Sequence, residues 1–366
     1  MKITGSVALS LCAIALNAAM PALAQDKRGT QPWIEFKLPA EWQNDYDYSS
    51  DARANERNNM SLKLEPEATL NIRSVPGLSF YVHGVLEQVQ DAAAREDRYF
   101  RDEGFYIQEL LVSYSTGRYG FVAGKTNPGF GIAWDQTPGI YGSELAEDYE
   151  LSERIALSMS AGFDLDGWGQ HTLKGGVFFL DTSPLQNTIY SQTRGKLGRE
   201  DGGVANTEDF SSYNIVLEGG FPSLPGFLYH LGFVNQAHGV DGTSDETGFA
   251  AGVKTRFDLG GGMSLTPMVE LVRFDDFGGT RGKDRRYWTG SLLGEWNSWN
   301  LALAHTRRND DDPTDGTVND HQSQVSVGYT FSSGLTADLG WKRRREGGIH
   351  TDTVGFLFTY AYEYSR

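Results

Sequence analysis

Side-chain polarity alternates with a two-residue period along much of the chain, and no other feature constrains the fold as strongly. Between Ser61 and Arg73 the even positions are apolar, whereas the odd positions are polar or charged. The last stretch of this kind has an apolar or aromatic residue at each of Val354, Phe356, Phe358, Tyr360, Tyr362 and Tyr364. Successive side chains of a β-strand point to opposite faces. These stretches therefore predict strands with one apolar face and one polar face.

Sixteen such segments can be placed along the chain, and most are long enough to cross a bilayer at a tilt. They are predicted at 33–38, 59–73, 77–90, 104–115, 118–125, 153–164, 170–180, 210–218, 226–235, 247–258, 263–274, 286–296, 298–306, 322–331, 335–344 and 349–364. The connections alternate in length, and the long ones are 39–58, 91–103, 126–152, 181–209, 236–246, 275–285 and 307–321, with a short eighth at 345–348. Short turns on one side and longer loops on the other are typical of outer-membrane barrels. A soluble β-protein is the alternative.

The first residues form an export signal rather than part of the fold. Lys2 precedes an apolar stretch at 7–16, which is too short to span a bilayer as a helix. Ala22-Leu23-Ala24 then provides the small residues of a cleavage site. We expect residues 1–24 to be a signal peptide and 25–366 to form one barrel domain. Cys12 is the only cysteine and lies in the signal peptide, so the mature chain has no disulfide.

Composition excludes several classes of function. The chain has 48 acidic and 32 basic residues, for a formal net charge of −16. Binding to nucleic acid needs a basic patch, so nucleic acid is not an expected partner. The mature chain lacks any run of about 18 apolar residues, which excludes a helical membrane protein. It also lacks the metalloprotease, serine-hydrolase and nucleotide-binding motifs. We therefore predict no enzyme activity, no cofactor and no metal site.

The third long connection contains the sequence Asn-Pro-Gly-Phe-Gly at 127–131 and continues as a Gly-rich, acidic stretch. Its Pro-Gly-Phe-Gly part is similar to the Pro-Glu-Phe-Gly element of the general bacterial porins, with glycine in place of glutamate. With sixteen strands, the chain resembles that Gram-negative family, and the phosphate-selective porins are a second candidate. The resemblance implies a transmembrane antiparallel β-barrel, usually a homotrimer, with the third outer loop at 126–152 folded inward. Porins of this family usually end on an aromatic residue, whereas Tyr364 here is followed by two further residues.

A wide aqueous lumen selects little by itself, so the loop that narrows it sets the limit. Acidic side chains facing basic ones would create a transverse field across the constriction. The acidic candidates are Asp135, Glu144, Glu147, Asp148 and Glu150, and the basic candidates on the polar faces of strands are Lys37, Lys63, Arg118, Arg154 and Lys174. Each of these charges could instead be ordinary solvated surface.

Two basic clusters lie near the outer ends of strands. We predict that they contact lipopolysaccharide phosphates, which arginine binds well, and they comprise Arg281, Lys283, Arg285, Arg286, Arg343, Arg344 and Arg345. Ion pairing with the acidic loops is the alternative. Tryptophans near strand ends predict an interfacial girdle, and they are Trp288, Trp296, Trp299 and Trp341.

The function predicted from these features is passive diffusion of small hydrophilic solutes and ions across the bacterial outer membrane. The acidic loops predict a preference for cations. Two other hypotheses are an outer-membrane barrel enzyme of the phospholipase or protease type and a soluble secreted β-rich protein that binds glycans.

Overall fold

The computed structural model describes residues 32–90, 92–93, 95–191 and 197–366, which form a closed antiparallel barrel of sixteen strands. The predicted signal peptide at 1–24 lies outside the described residues. The strands are β1 (Ile34–Ser50), β2 (Arg57–Leu64 and Glu67–Asn71), β3 (Leu78–Gln88), β4 (Glu103–Thr116), β5 (Tyr119–Thr126), β6 (Arg154–Leu165), β7 (Gly169–Leu180), β8 (Ser212–Gly219), β9 (Phe227–Gln236), β10 (Glu246–Thr255 and Phe257–Gly260), β11 (Met263–Asp275), β12 (Asp284–Trp296), β13 (Trp299–Asp312), β14 (Gly316–Thr330), β15 (Thr336–Glu346) and β16 (Ile349–Ser365).

Each strand pairs antiparallel with its neighbours in the chain, and the sheet closes where β16 pairs with β1. The closing ladder is continuous from Glu35 to Asp47 of β1. Trp42 stacks on Phe358 across it, with ring centroids 5.1 Å apart. Closure removes the free edges of the sheet and satisfies the backbone polar groups, as a wall surrounded by lipid requires.

The two faces of the wall differ as the alternation predicted. In β11, Val269 and Leu271 are exposed, whereas Met268, Glu270 and Val272 are buried. Exposed apolar residues recur in this way on strands around the barrel. An outward apolar surface of this extent is the opposite of a soluble β-protein, so the membrane barrel predicted from the sequence is confirmed. Among the described residues, no helix is long and apolar enough to span a membrane.

The prediction of sixteen strands is confirmed, but two of the predicted long loops are largely strand. β1 continues to Ser50, although the sequence predicted a loop over 39–58. β13 and β14 continue to Asp312 and from Gly316, within the loop predicted at 307–321. The charged residues that suggested a loop are paired across the ladder, as with Arg308 opposite Asp320. Polar residues are compatible with a strand where it extends beyond the apolar layer.

The two ends of the barrel differ in their connections. One end has tight turns, such as the one at Gly117, whose φ of +57° lies in the left-handed region that glycine adopts without strain. Both ends of the described chain lie there as well, because the Trp33 carbonyl accepts a hydrogen bond at 2.9 Å from the Asn71 N–H, next to a short turn, and the Trp33 N–H donates to the Arg366 carbonyl at 2.7 Å. The opposite end carries the longer loops, including the third outer loop.

Candidate functional site at the third outer loop

The third outer loop, residues 127–152, is largely buried, unlike a solvated surface loop. It contains a short helix, α1 (Ala133–Gln136), and a 3-10 turn at Glu147–Tyr149. Its apolar side chains pack with residues on the buried faces of β9 to β12. The loop contributes Phe130, Ile132, Ala133, Ala146, Tyr149 and Leu151, and the strands contribute Val234, Ala250, Met268, Val272, Phe274 and Tyr287. Burial of apolar surface therefore holds the loop in place.

One carboxylate of the wall anchors the first half of the loop. Glu270 of β11 is 1% exposed and accepts hydrogen bonds from the backbone N–H groups of Ile132 and Ala133, at 2.5 and 2.9 Å. The Tyr149 hydroxyl donates to the same carboxylate at 2.6 Å. Donors that converge on one carboxylate make strong bonds, so this group fixes the loop backbone at β11.

The second half of the loop is held by other strands. Gln324 of β14 donates to the Pro138 carbonyl at 2.8 Å, and Gln322 donates to the Tyr141 carbonyl at 2.5 Å. The Tyr141 hydroxyl donates to Asp45 of β1 at 2.6 Å. The loop thus bonds to side chains of β14 and β1 as well as β11.

Glycines in the wall leave room for the loop. A side chain at Gly232 of β9 would collide with the carbonyl oxygen of Phe130, and one at Gly355 of β16 would collide with the Tyr141 hydroxyl. Three further glycines face the loop in the same way, and they are Gly248, Gly252 and Gly340. Larger residues at these positions would require the loop or the wall to move.

Arginines of the wall neutralise Asp148 of the loop. Arg308 of β13 donates to Asp148 at 2.5 Å and to Asp320 at 2.7 Å. Arg285 of β12 lies 3.9 Å from Asp148 and makes a bidentate pair with Asp310, at 2.5 and 2.7 Å. Planar guanidinium groups favour such multiple contacts with carboxylates. A second loop carboxylate is paired as well, because Lys342 of β15 donates to Glu144 at 2.6 Å.

Near the end of the loop, Glu147 and Glu150 lie close to other carboxylates. Burial, together with the charges of Glu147 and Glu109, raises the pKa of Glu150 to about 8, and Lys63 opposes this effect. Burial also raises the pKa of Glu147, although its carboxylate accepts a hydrogen bond from Ser143 at 2.7 Å. A carboxyl group with a raised pKa is neutral at low pH and becomes charged as the pH rises.

We call the neighbouring part of the wall the acidic side, and it is defined by Glu41, Glu65, Glu67, Glu87 and Glu109 of strands β1 to β4 and the break in β2. Its main basic residue is Lys63, which lies 3.1 Å from Glu65. His83 of β3 lies 3.8 Å from Glu109 and 3.9 Å from Glu65. Carboxylates therefore outnumber basic groups on this side.

α1 lies over a cavity toward the short-turn end of the barrel. Burial raises the pKa of Asp135 in α1 to about 7, and the charge of Lys254 opposes this shift. Lys254 of β10 donates to the Gln136 side chain at 2.9 Å. The cavity has a volume of about 780 Å³, and its polar lining includes Asp135, Gln136, Lys174, Glu218, His230 and Lys254.

The structure brings together some of the residues that were predicted for the pore constriction. All five acidic candidates lie in the third loop, and Lys63 lies near Glu147 and Glu150. Lys37 is on β1 close to Glu67. Arg154, at the start of β6, donates to the Ser152 carbonyl at 2.8 Å.

Two basic candidates are farther from the loop. Lys174 of β7 pairs with Glu218 at 2.6 Å and lines the cavity. Arg118 is exposed in the turn between β4 and β5, at the end of the barrel away from the loop. The assignment of Arg118 to the constriction is therefore corrected, because this turn and the third loop lie at opposite ends of the barrel.

Several residues of the site were missed from the sequence. Arg308 was assigned to a loop, yet it lies on the buried face of β13 and contacts Asp148. Glu270 and Lys254 were on predicted strands but were not selected, and Lys342 was grouped with the outer basic cluster rather than with the constriction. Glu270 could have been found as an isolated charge between Met268 and Val272 on one face of β11.

The basic clusters assigned to lipopolysaccharide are divided between the two faces. Arg285 lies on the buried face and pairs with Asp310, and Arg344 lies 3.9 Å from Glu144 and 2.7 Å from Glu346. These two assignments are corrected, because the strand alternation turns both side chains toward the loop. Arg286 and Arg343 remain exposed, at 53% and 56% of the side chain.

The other members of these clusters lie at the rim. Lys283 pairs with Asp312 at 3.3 Å, and Arg281 is exposed and contacts the Thr243 carbonyl at 3.4 Å. Arg345 of β15 donates to the Asn319 carbonyl at 2.6 Å. Three of the tryptophans proposed for a girdle are exposed, and they are Trp288, Trp296 and Trp299.

This architecture defines the class: the chain has the fold of bacterial outer-membrane channels. No family model matches the sequence, and no curated protein matches it. The outer-membrane channel DcaP of Acinetobacter baumannii is similar in structure, with a TM-score of 0.55 and 12% identity over 93% of this chain and 99% of that one.

Two channels of Pseudomonas aeruginosa are similar to the same degree. OpdK, solved with vanillate, has a TM-score of 0.54 and 9% identity over 90% of this chain and 99% of its own. OpdF, solved with glucuronate, has a TM-score of 0.54 and 11% identity over 91% of this chain and 100% of its own. The predicted resemblance to outer-membrane porins is thus confirmed at the level of the fold.

Proposed function

We propose that this protein is a passive diffusion pore of the outer membrane for small hydrophilic solutes and ions, with the third loop lying inside the barrel as its constriction. The observation that carries the proposal is the set of hydrogen bonds from this loop to Glu270 of β11, Gln324 of β14 and Asp45 of β1. These groups lie on the face opposite the exposed apolar side chains. A loop bonded to that face on several strands narrows the passage.

The charges of the loop and of the wall around it support a preference for cations. Asp148 and Glu144 are paired with Arg308 and Lys342, so these charges largely cancel. Glu147 and Glu150 face the acidic side, where Lys63 is outnumbered. A carboxylate-lined constriction attracts cations and repels anions.

The comparisons support small solutes as the cargo. OpdK and OpdF were solved with vanillate and glucuronate, which are small organic molecules. In the present chain the ionic character of the cargo would follow its own constriction residues, which are mainly acidic. We therefore propose small cationic or neutral hydrophilic solutes.

Two further proposals concern assembly. A homotrimer is proposed from the resemblance to the porins. Contact with lipopolysaccharide is proposed for the rim residues that the structure leaves at or near the outer surface, Arg281, Lys283, Arg286, Arg343 and Arg345. Their guanidinium and ammonium groups suit phosphate binding.

Single-channel recording in a planar bilayer under a salt gradient tests the pore and its selectivity together. We expect stepwise openings and a reversal potential of the sign that indicates cation selectivity. In the double variant Glu147→Gln/Glu150→Gln we expect the reversal potential to move toward zero. Asp258→Asn is the matched control, since Asp258 is an exposed carboxylate in β10 away from the loop. Folded protein that inserts without conducting would refute the pore. Anion preference would refute the assigned constriction charges.

A further inference from the structure

The seam between β2 and β3 is not a continuous ladder. Below the break in β2, residues 67–71 pair with 79–83 of β3. Above it, Leu64 opposite Leu86 is the last pair between the two strands. Pro66 lies at the break, where a proline cannot donate a ladder hydrogen bond.

A segment of the second outer loop occupies the gap above Leu64. Arg98 and Tyr99 pair in parallel with Asn59 and Met60 of β2, in a barrel whose strands otherwise pair antiparallel. The Phe100 N–H donates to the Met60 carbonyl at 3.0 Å. The loop segment therefore takes the place of β3 along this part of β2.

In the rest of the seam, side chains rather than backbone groups form the hydrogen bonds to the backbone of β2. The Asn58 N–H donates to Asp97 at 2.8 Å, and the Leu62 N–H donates to Glu103 at 3.3 Å. The Gln88 side chain of β3 donates to the Met60 carbonyl at 3.3 Å. Side-chain partners can swing away or be replaced by water, whereas a continuous ladder in lipid has no substitute for its bonds.

The two faces of this seam differ in polarity. Lys63 lies opposite Glu41, on the face that carries the acidic side. Leu62 lies opposite Trp42, which stacks on Phe358 on the outer face. A passage between β2 and β3 would therefore join a polar lumen to an apolar surface.

We propose that the seam between β2 and β3 is a lateral portal, closed by residues 98–100, through which small amphipathic solutes pass from the lumen into the outer leaflet. This activity goes beyond the proposed diffusion pore, although it uses the same lumen. A polar group of the solute faces Lys63 and its neighbours while the apolar part enters lipid past Leu62 and Leu86.

A reversible disulfide across the seam tests the portal. Asn59→Cys/Arg98→Cys joins the loop segment to β2, because these residues are directly paired and the Arg98 guanidinium reaches the Asn59 side chain at 2.7 Å. Ala302→Cys/Ser326→Cys is the matched control, placed across the continuous ladder between β13 and β14. The predicted mature chain has no cysteine of its own to interfere.

The readout is uptake of N-phenylnaphthylamine, a fluorophore that brightens in a bilayer, by Gram-negative cells that express each full-length variant. We expect the locked seam to slow uptake severalfold compared with the same cells after reduction, and the control pair to show no such difference. Equal uptake in the locked and reduced states would overturn the portal. Ion conductance of the locked protein is recorded in parallel, so a failed portal is distinguished from a failed pore.

The single variant Arg98→Gln covers the case in which the double variant does not fold. It removes the bond to Asn59 and a second bond at 2.8 Å to the Gln90 carbonyl. We expect faster uptake because the segment at 98–100 is held less firmly. Unchanged uptake in this variant would also overturn the proposal.

Discussion

The loop-bearing side of the barrel, strands β8 to β15, differs from the acidic side in how far its carboxylates are paired with basic residues. On the loop-bearing side, acidic groups of the loop meet Arg308 and Lys342 at hydrogen-bond distance. On the acidic side, Glu150 lies among other carboxylates and burial raises its pKa to about 8. Paired charges fix the loop and contribute little to the field in the pore. The less compensated charges decide which ions pass.

The largest effect is expected from breaking the ion pairs of the loop-bearing side. Arg308→Gln leaves Asp320, whose side chain is 3% exposed, without its guanidinium partner. Removing one member of a buried pair costs about 3–5 kcal/mol. Urea unfolding in detergent should show this loss, and Arg307→Gln, on the exposed face of the same strand, should not. Equal stability of the two variants would mean that the paired charges do not hold the loop.

A smaller loss is expected from filling the space that the wall leaves for the loop. Gly232→Val places a side chain against the Phe130 carbonyl and should cost about 1–3 kcal/mol by overpacking. Because the loop moves away from β9, we also expect a lower single-channel conductance. Gly162→Val is the control, since the nearest atom to a Cβ there is the Arg118 carbonyl oxygen at 3.8 Å. Unchanged conductance in Gly232→Val would mean that the loop does not form the constriction.

The acidic side predicts that ion selectivity depends on pH. Raised pKa values mean that Glu147 and Glu150 are protonated at low pH and become charged as the pH rises, for Glu150 near pH 8. The cation preference should therefore increase between about pH 6 and pH 9. Reversal potentials of Glu150→Gln should lack the upper part of this increase. A wild-type reversal potential that stays constant over this range would remove Glu150 from the conduction path.

The smallest effect is expected at the short-turn end. Arg118→Gln changes an exposed turn residue, so stability should change by less than about 0.5 kcal/mol. Selectivity should remain within the error of the reversal potential, in contrast to Lys63→Gln, which should increase cation preference. A marked change in ion selectivity in Arg118→Gln would mean that Arg118 lies at the constriction after all.

Much of the fold could be predicted from local patterns. The alternation through β16 and the tight turn at Gly117 each depend on a few neighbouring residues, and both are present in the structure. The extents of β1, β13 and β14 could not be predicted in this way. Their outer ends are polar, and only the pairing with a neighbouring strand shows that they are not loops.

The candidate site was predicted only in part. The acidic members could be found because they are contiguous in one Gly-rich loop, but their partners come from strands far away in the chain. Arg308 is 160 residues from Asp148, and Glu270 is 138 residues from Ile132. No local spacing shows such a pair.

The sequence by itself determined the class of fold, because a two-residue period fixes which face of each strand is apolar. It also determined which loop is acidic and which segments are turns. The tertiary structure alone decided that Arg285 and Arg344 meet the loop, that glycines at 232 and 355 make space for it, and that the seam above Leu64 is filled by a loop. The physical reason is that these features depend on strand register and closure of the barrel, which bring together residues that are distant in the chain.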